Sequence, residues 1–321
     1  MRVVLTGGGG FIGSYVLARL VGAGIGVTLV GASTGKSRYT ASLVAAGDVR
    51  FVRFDDPFRE HDALRAAVAD ADALVLLGYV MPTASSVADR LLEEFDRNIE
   101  PTVRLLRLAG ERVRQVVFAS SVSVYGSPLR VPVRESDTLS PATPYAIAKV
   151  ACEQAIGLIG AATGARCAIL RYSTVYGPGE IVPRAIPNFI RAALAGQRPN
   201  IRGDGLDEHD YVHVTDVADA TLTALRRKAH GVYNIGTGIG TTTCDLARLV
   251  FELASSRAAP VFDISASVAR PRTHLVCDTQ VSRAELGFAA RRSLPEGISE
   301  EIGWFRSQLG SGTPPAGRRA A

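Results

Sequence analysis

Short apolar runs alternate with longer segments of mixed polarity through the first half of the chain. Five of the runs are rich in β-branched residues and predict buried strands, at residues 2–5, 27–30, 49–54, 73–77 and 115–119. Apolar residues at helical spacing predict helices between or after them, at 11–20, 91–109 and 145–158. Strands that alternate with helices in this way predict an α/β fold with a doubly wound parallel sheet.

Glycines recur directly after the first predicted strand, at Gly7, Gly10 and Gly13. A pyrophosphate needs to approach the backbone at a helix N-terminus, where free N–H groups and the helix dipole favour an anion. Side chains at Gly7 or Gly10 would block that approach, and Gly13 lets the helix pack close to the strand. The order of strand, glycine turn and helix therefore predicts a dinucleotide-binding loop.

The segment after the second strand bears on the choice between NAD and NADP. Dinucleotide-binding folds usually place a carboxylate there to bind the adenine ribose of NAD, and residues 31–38 contain none. They contain Ser33, Lys36 and Arg38, whose hydroxyl and cationic groups suit a 2′-phosphate. We therefore expect NADP to be preferred over NAD, the alternative being that both cations merely face water.

The next two strands end in residues that suit the rest of the cofactor. Asp55 and Asp56 follow the third strand, where a carboxylate can accept a hydrogen bond from the adenine amino group. The fourth strand ends at Leu77 and is followed by Gly78 and Tyr79. A small residue at this point lets the nicotinamide side of the cofactor lie across the strand end.

Tyr145 and Lys149 lie four residues apart on a predicted helix and so share a face. A nearby ammonium lowers the pKa of a phenol from about 10 toward neutrality, where the phenol can exchange a proton with a sugar hydroxyl or ketone. The fifth strand, about twenty residues earlier, runs into Ser120 and Ser121. A serine hydroxyl beside the pair would orient the reacting oxygen.

These motifs together resemble the extended short-chain dehydrogenase/reductase family, in its nucleotide-sugar epimerase, dehydratase and reductase branch. The resemblance implies a Rossmann domain over residues 1–174, completed by about 210–236, and a smaller C-terminal substrate-binding α/β domain for the nucleotide sugar over 175–309. Residues 310–321 are rich in Gly, Pro and Ala, and we expect a disordered tail there. The resemblance also implies a homodimer, formed through the helices at 91–109 and 146–159.

The resemblance assigns roles to particular residues. It makes Tyr145 the acid/base, Lys149 the residue that holds the nicotinamide ribose and tunes the tyrosine, and Ser121 the ligand of the substrate oxygen. It adds Phe11 and Ile12 as backbone donors to the pyrophosphate of the cofactor. It also adds Tyr172 as a cofactor contact and Asn98 as a residue that supports the cofactor site. On the substrate side it points to Thr174, Arg202, His209 and Arg270, the last placed like an arginine that binds the substrate diphosphate.

Departures from the family pattern bear on the reaction. Family dehydratases have an Asp–Glu pair directly after the serine, and this chain has Val122 and Ser123, which argues against dehydration. Family epimerases usually have Asn and Arg where this chain has Thr174 and His209. We therefore favour an NADPH-dependent 4-keto-6-deoxyhexose reductase, with an NAD-dependent UDP-hexose 4-epimerase as the alternative and a non-catalytic NADP-sensing protein as a distant third.

The charge, the lengths of the apolar runs and the spacing of cysteines and histidines limit the kinds of binding partner that we expect. The net charge is +5 at pH 7, but the arginines are scattered without a basic run, so we do not expect nucleic-acid binding. No run of eighteen apolar residues occurs and the first strand begins at Arg2, so we expect neither a membrane span nor a signal peptide, and a cytoplasmic protein. The spacing of the cysteines and histidines predicts no metal site.

Overall fold

The fold was analysed in a computed structural model, which describes residues 1–35, 37–54, 62–258, 260–263 and 272–310. The strands, numbered β1 to β13 in chain order, are Arg2–Thr6, Gly26–Gly31, Val49–Arg53, Ala73–Leu76, Gln115–Ser121, Arg166–Tyr172, Thr174–Tyr176, Asn200–Arg202, Glu208–His213, Gly231–Ile235, Gly240–Thr242, Val261–Asp263 and His274–Leu275. The helices, numbered α1 to α10, are Phe11–Gly22, Arg38–Ala45, Asp62–Ala69, Val87–Glu94, Glu100–Ala109, Pro144–Thr163, Ala185–Leu194, Val214–Arg226, Thr243–Leu253 and Leu294–Gly310.

Seven parallel strands form the main sheet, in the order β10-β6-β5-β4-β1-β2-β3. The chain starts in the middle of this sheet, winds outward through β2 and β3, and then returns to build the other half from β4. Because β1 and β4 are neighbours, the order reverses between them, and ligands of such sheets bind at that point beyond the carboxyl ends of the strands. The predicted Rossmann fold is confirmed.

Helices cover both faces of the main sheet, which explains its almost continuously apolar strands. Helices α1 and α8 pack with one face in a core that includes Leu5, Leu17 and Val217. Helices α3, α5 and α6 pack with the other face in a second core that includes Leu74 and Ile156.

The smaller part of the molecule follows β6. Strands β7, β9, β11 and β13 form a second sheet, β8 pairs with β12, and helices α7, α9 and α10 share a third core with them. The chain returns to the main sheet through α8 and through β10, which pairs with β6. Strand β7 pairs with β9 directly after β6 ends, so the two sheets meet near the carboxyl end of β6.

Two helices differ from their predicted bounds. The helix predicted over 91–109 begins at Val87, which Ser86 caps by accepting from the Asp89 N–H, and it passes through a π-helical turn at Phe95–Ile99 before α5. Helix α6 runs from Pro144 to Thr163, further than predicted, and ends before Gly164 in the left-handed conformation. By length and composition alone α6 is apolar enough to cross a membrane, but it packs against β5 and β6 and buries Lys149.

Candidate active site

The glycine-rich loop leaves no room for side chains. Gly7 has φ +74°, and a Cβ there would come within 2.7 Å of the Leu77 and Gly78 backbone. A Cβ on Gly13 would lie 2.0 Å from the Gly7 carbonyl oxygen, so only glycine allows α1 to start so close to β1. Gly10 caps α1 without a side-chain partner, and the first turn has no acidic residue, which leaves the N-terminal N–H groups for an anion. This backbone cradle fits a dinucleotide pyrophosphate.

The side chains expected around the adenine ribose are only partly described. The Thr34–Gly35 backbone packs on Gly9, since a Cβ on Gly35 would meet the Gly9 carbonyl oxygen at 2.0 Å. Ser33 is exposed, and its hydroxyl accepts a hydrogen bond from the Gly35 N–H. Lys36, Asp55, Asp56, Arg270 and the side chain of Arg38 lie outside the described residues, as does the expected tail beyond Gly310.

Ser121, Tyr145 and Lys149 meet at the carboxyl end of β5. Ser121 ends that strand, and its hydroxyl accepts from the Ser123 N–H at 3.2 Å. Tyr145 lies in the first turn of α6, which Thr143 caps, and Lys149 follows one turn later. The Lys149 ammonium lies 5.7 Å from the centre of the Tyr145 ring and donates to the Ala119 carbonyl at 2.8 Å.

A buried ion pair anchors α6 behind these residues. Arg171 of β6 donates two hydrogen bonds to the Glu153 carboxylate, at 2.7 and 3.1 Å, and both side chains are at most 5% exposed. Glu153 also accepts from the Ser120 hydroxyl of β5. Since Glu153 lies one turn after Lys149 on α6, the pair fixes the helix that carries Tyr145 and Lys149 relative to β5 and β6.

Ser121 and Tyr145 face a cleft of about 430 Å³ between the main sheet and the smaller part. Its volume is typical of small-molecule sites. Ile12, Thr174 and His209 also line this cleft, as the sequence predicts for residues that contact cofactor or substrate. His209 packs edge-on against Tyr211, with ring centres 6.2 Å apart.

The structure adds cleft residues that the sequence motifs did not indicate. Glu180, Arg184 and Tyr211 line the cleft. Glu180 is 3% exposed, and burial raises the pKa of its carboxyl to about 7, although Arg184 and Arg191 oppose the rise. The Arg184 Nε lies 3.6 Å from the Glu180 carboxylate. These residues come together only through the packing of α7 and β9, so no sequence spacing indicates them.

Tyr172, which is expected to contact the cofactor, lies at the end of β6 and is among the residues that line the cleft. Its hydroxyl hydrogen-bonds to the Thr221 hydroxyl at 2.7 Å, and its ring is buried in the core under α8. Burial raises the pKa of Tyr172 well above its usual range, so the hydroxyl stays protonated. The Tyr172 hydroxyl is therefore engaged on the α8 face of the sheet, and a contact of this residue with the cofactor stays a prediction.

Two other predicted site residues, Arg202 and Asn98, are not among the described residues that line the cleft. Arg202 ends β8 with its side chain exposed. Asn98 is buried in the π-helical turn, and its amide group bonds both the N–H and the carbonyl of Val80. It therefore supports the site by holding the chain after β4, and its polar atoms are already used.

The sequence is similar to those of known proteins over almost its whole length. The family described as the NAD dependent epimerase/dehydratase family matches residues 3–236. The chain belongs to this family. It is 34% identical to a UDP-glucose 4-epimerase of Mycolicibacterium smegmatis, over 96% of this chain and 99% of that protein.

Solved structures of family members are similar over nearly their whole length. The UDP-glucose 4-epimerase of Thermotoga maritima, solved with UDP-glucose, has a TM-score of 0.82 and 29% identity, over 96% of this chain and 100% of that one. The UDP-glucose 4-epimerase of Thermus thermophilus, solved with NAD, has a TM-score of 0.80 and 28% identity, over 95% and 99% of the two chains. This epimerase/dehydratase family member is thus a nucleotide-sugar enzyme of the short-chain dehydrogenase/reductase type.

Proposed function

We propose that the protein is a nucleotide-sugar 4-epimerase that interconverts UDP-hexoses differing at C4. The observation that carries the proposal is the placement of Ser121 and Tyr145 on one cleft, with the Lys149 ammonium behind the tyrosine. The similarity to UDP-glucose 4-epimerases over almost the whole chain supports this reaction. The 4-keto reductase favoured by the sequence rests on Thr174, His209 and the missing carboxylate after β2, and these relatives support the epimerase instead.

Each of the residues at the cleft has a separate role in hydride and proton transfer at C4. The bound nicotinamide cofactor supplies the acceptor, and then the donor, of the hydride at C4. Ser121 hydrogen-bonds the C4 oxygen and orients it toward the phenolic oxygen of Tyr145, which acts as the base when it has given up its own proton. Tyr145 takes the proton from that oxygen as C4 is oxidised and returns it when C4 is reduced. The Lys149 ammonium, 5.7 Å from the centre of the Tyr145 ring, places a positive charge beside this proton exchange.

Epimerisation also requires that the oxidised sugar present its other face before reduction. The cleft of about 430 Å³ supplies the space for this rotation, while the nucleotide stays bound in the smaller part. We assign the nucleotide-sugar contacts to Thr174 and His209 on the cleft wall, and to Arg270, because a guanidinium suits a diphosphate.

The cofactor preference is a separate proposal. A nicotinamide dinucleotide fits the glycine cradle, and relatives were solved with NAD. The preference for NADP stays a prediction from the lack of a carboxylate in residues 31–38 and from the presence of Ser33, Lys36 and Arg38 there. Calorimetric titration of cofactor-free protein with each dinucleotide tests it, and tighter binding of NAD would refute the preference.

We also propose that the protein forms a homodimer through α4, the π-helical turn and α6. These adjacent elements carry apolar side chains that are strongly exposed in the single chain, among them Leu92 at 62%, Phe95 at 52% and Leu158 at 73%. Exposed apolar side chains concentrated on neighbouring helices are typical of protein interfaces.

The experiment that tests the function is incubation of purified protein with UDP-glucose, followed by NMR analysis of the sugar. We expect UDP-galactose to accumulate to a constant ratio without net consumption of cofactor. Tyr145→Phe removes only the proton donor and should abolish turnover while leaving cofactor binding nearly intact. Stoichiometric oxidation of NADPH by a nucleotide-linked 4-keto-6-deoxyhexose, with no conversion of UDP-glucose, would replace the epimerase with the reductase.

A further inference from the structure

We propose that Tyr79, held in place by Glu94, is a positioning residue for proton transfer at Tyr145. The proposal rests on the proposed role of Tyr145 and goes beyond the cofactor contact that the sequence predicts for Tyr79 after the fourth strand. It follows from the contacts that Tyr79 makes at each end of its side chain.

The hydroxyl end of Tyr79 is fixed by a buried carboxylate. Glu94, the last residue of α4, is 1% exposed, and it accepts a hydrogen bond from the Tyr79 hydroxyl at 2.5 Å. Its other carboxylate oxygen accepts from the Asn98 amide at 2.7 Å. Asn98 in turn bonds the Val80 backbone, so Glu94 and Asn98 fix both the side chain of Tyr79 and the main chain beside it.

The ring of Tyr79 contacts both members of the Tyr145–Lys149 pair. It meets the Tyr145 ring edge to face, with centres 4.9 Å apart and planes at 84°. The Lys149 ammonium lies 5.4 Å from the centre of the Tyr79 ring. Both values fall within the ranges in which such contacts are attractive.

Lys149 is thereby enclosed by aromatic rings. Its ammonium lies 4.9 Å from the Phe118 ring centre and 5.7 Å from that of Tyr145, in addition to Tyr79. Among the described residues its hydrogen bond goes to the Ala119 carbonyl, and Lys149 is only 6% exposed. The three rings keep water from the ammonium, which strengthens its effect on the Tyr145 phenol because less solvent screens the charge.

The titratable side chains near this pair include Glu94, Cys152 and Glu153, besides Tyr79 itself. Burial, followed by the Glu94 hydrogen bond, raises the pKa of Tyr79 far above its usual range, so Tyr79 remains a hydrogen-bond donor. Burial also raises the pKa of Cys152, which lies on α6 beyond Lys149. The Tyr79 ring lies between the Glu94 carboxylate, which accepts the hydrogen bond of its hydroxyl, and the Tyr145 ring.

Substitution of Tyr79 separates positioning from general stability. In Tyr79→Ala the Tyr145 ring loses its neighbour and water reaches Lys149, so we expect kcat to fall about 100-fold, as for a reacting group displaced by about 1 Å. The midpoint of the acid limb of the kcat–pH profile should move to higher pH, because a hydrated ammonium favours the phenolate less. KM should change less than about threefold, because Tyr79 is not among the described residues lining the cleft.

The conservative variant and a matched control complete the design. Tyr79→Phe keeps the ring and loses only the Glu94 hydrogen bond, so we expect a loss of less than about tenfold in kcat and an acid limb near that of the wild type. Tyr233→Phe is the control, since the Tyr233 hydroxyl also donates to a carboxylate, that of Glu285 at 2.9 Å, on β10 away from the cleft. It should leave kcat and its pH profile unchanged.

The phenolate titration of Tyr145 gives a readout without turnover. The titration is followed as the ultraviolet absorbance of each protein minus that of the same protein carrying Tyr145→Phe. The midpoint of this titration should move to higher pH in Tyr79→Ala. If wild type is active and Tyr79→Ala keeps both its kcat and this titration, the positioning role is overturned. A uniform fall in kcat without any shift in pH would also overturn it, as the mark of a merely structural role. Absence of epimerase activity in the wild type would refute the proposed function instead, and the phenolate titration would still test the contact.

Discussion

Replacing Glu301 with glutamine should make the protein more stable at alkaline pH. Glu301 lies on α10 with no exposed surface, and neither carboxylate oxygen has a hydrogen-bond partner among the described residues. Burial raises the pKa of this carboxyl to about 9, and the neighbouring carboxylate of Glu180 adds to the rise, although the nearby Gly177 N–H and Arg191 oppose it. Glu301 is therefore protonated in the folded protein at neutral pH and ionised in the unfolded chain.

The sign of the pH dependence follows from this difference in proton binding. Between the ordinary pKa of 4.5 and the folded value of about 9, the folded state holds a proton that the unfolded state has released. The stability contributed by the protonated carboxyl is thus complete below pH 4.5 and is lost progressively as the pH rises toward 9. Each pH unit in this window costs at most about 1.4 kcal/mol, so the loss at pH 8 amounts to a few kcal/mol.

Urea unfolding at a series of pH values measures this loss. Glu301→Gln is neutral and of similar size, so we expect it to match the wild type within about 1 kcal/mol near pH 5 and to exceed it by about 3 kcal/mol at pH 8. Glu300→Gln is the matched control on the same helix, because that carboxylate is 41% exposed and lies 3.3 Å from Arg292. It should change stability by less than about 1 kcal/mol. Identical pH dependence in Glu301→Gln and wild type would refute the reasoning.

Three other predictions concern the cradle, the anchor of α6 and the dimer. Gly13→Ala places a Cβ 2.0 Å from the Gly7 carbonyl oxygen and should weaken NAD binding by more than about tenfold in calorimetry. Gly22→Ala on the same helix has open space around its Cβ and should leave the affinity unchanged. Equal affinities of the two variants for NAD would contradict the assignment of the cradle. Glu153→Gln leaves the buried Arg171 without its ionic partner and should lower the free energy of unfolding by about 3 kcal/mol. Glu100→Gln is the control, since it removes a partly exposed ion pair with Arg104 and should lower that free energy by less than about 1 kcal/mol. Leu158→Asp should convert a dimer to monomers in light scattering, and a wild-type monomer would refute the dimer.

The sequence predicts the architecture of the site because its main parts are local. Gly7, Gly10 and Gly13 lie within one turn and one helix start, and Tyr145 and Lys149 lie one helical turn apart, so spacing alone constrains their geometry. The doubly wound parallel sheet follows from the alternation of strands with helices. These features agree with the structure.

The remainder of the site depends on packing between distant segments. Tyr79 reaches Glu94 and Tyr145 only because the chain after β4 lies against α4 and α6, and the sequence separation of these residues indicates no contact. The hydrogen bond of the Tyr172 hydroxyl to Thr221 could not be predicted, because a strand buried on both faces is apolar throughout and its pattern does not distinguish the two sides. Glu180 and Glu301 come together from separate segments, and their sequence context does not distinguish them from exposed carboxylates.

The path of the C4 hydrogen tests the central claim most directly. UDP-glucose carrying deuterium at C4 is converted by the purified protein, and the UDP-galactose formed is examined by mass spectrometry and NMR. If C4 is oxidised and reduced within one cleft, the deuterium is kept at C4 of the product, and Tyr145→Phe forms no product. Loss of the deuterium to water, or product formation by Tyr145→Phe, would contradict the account.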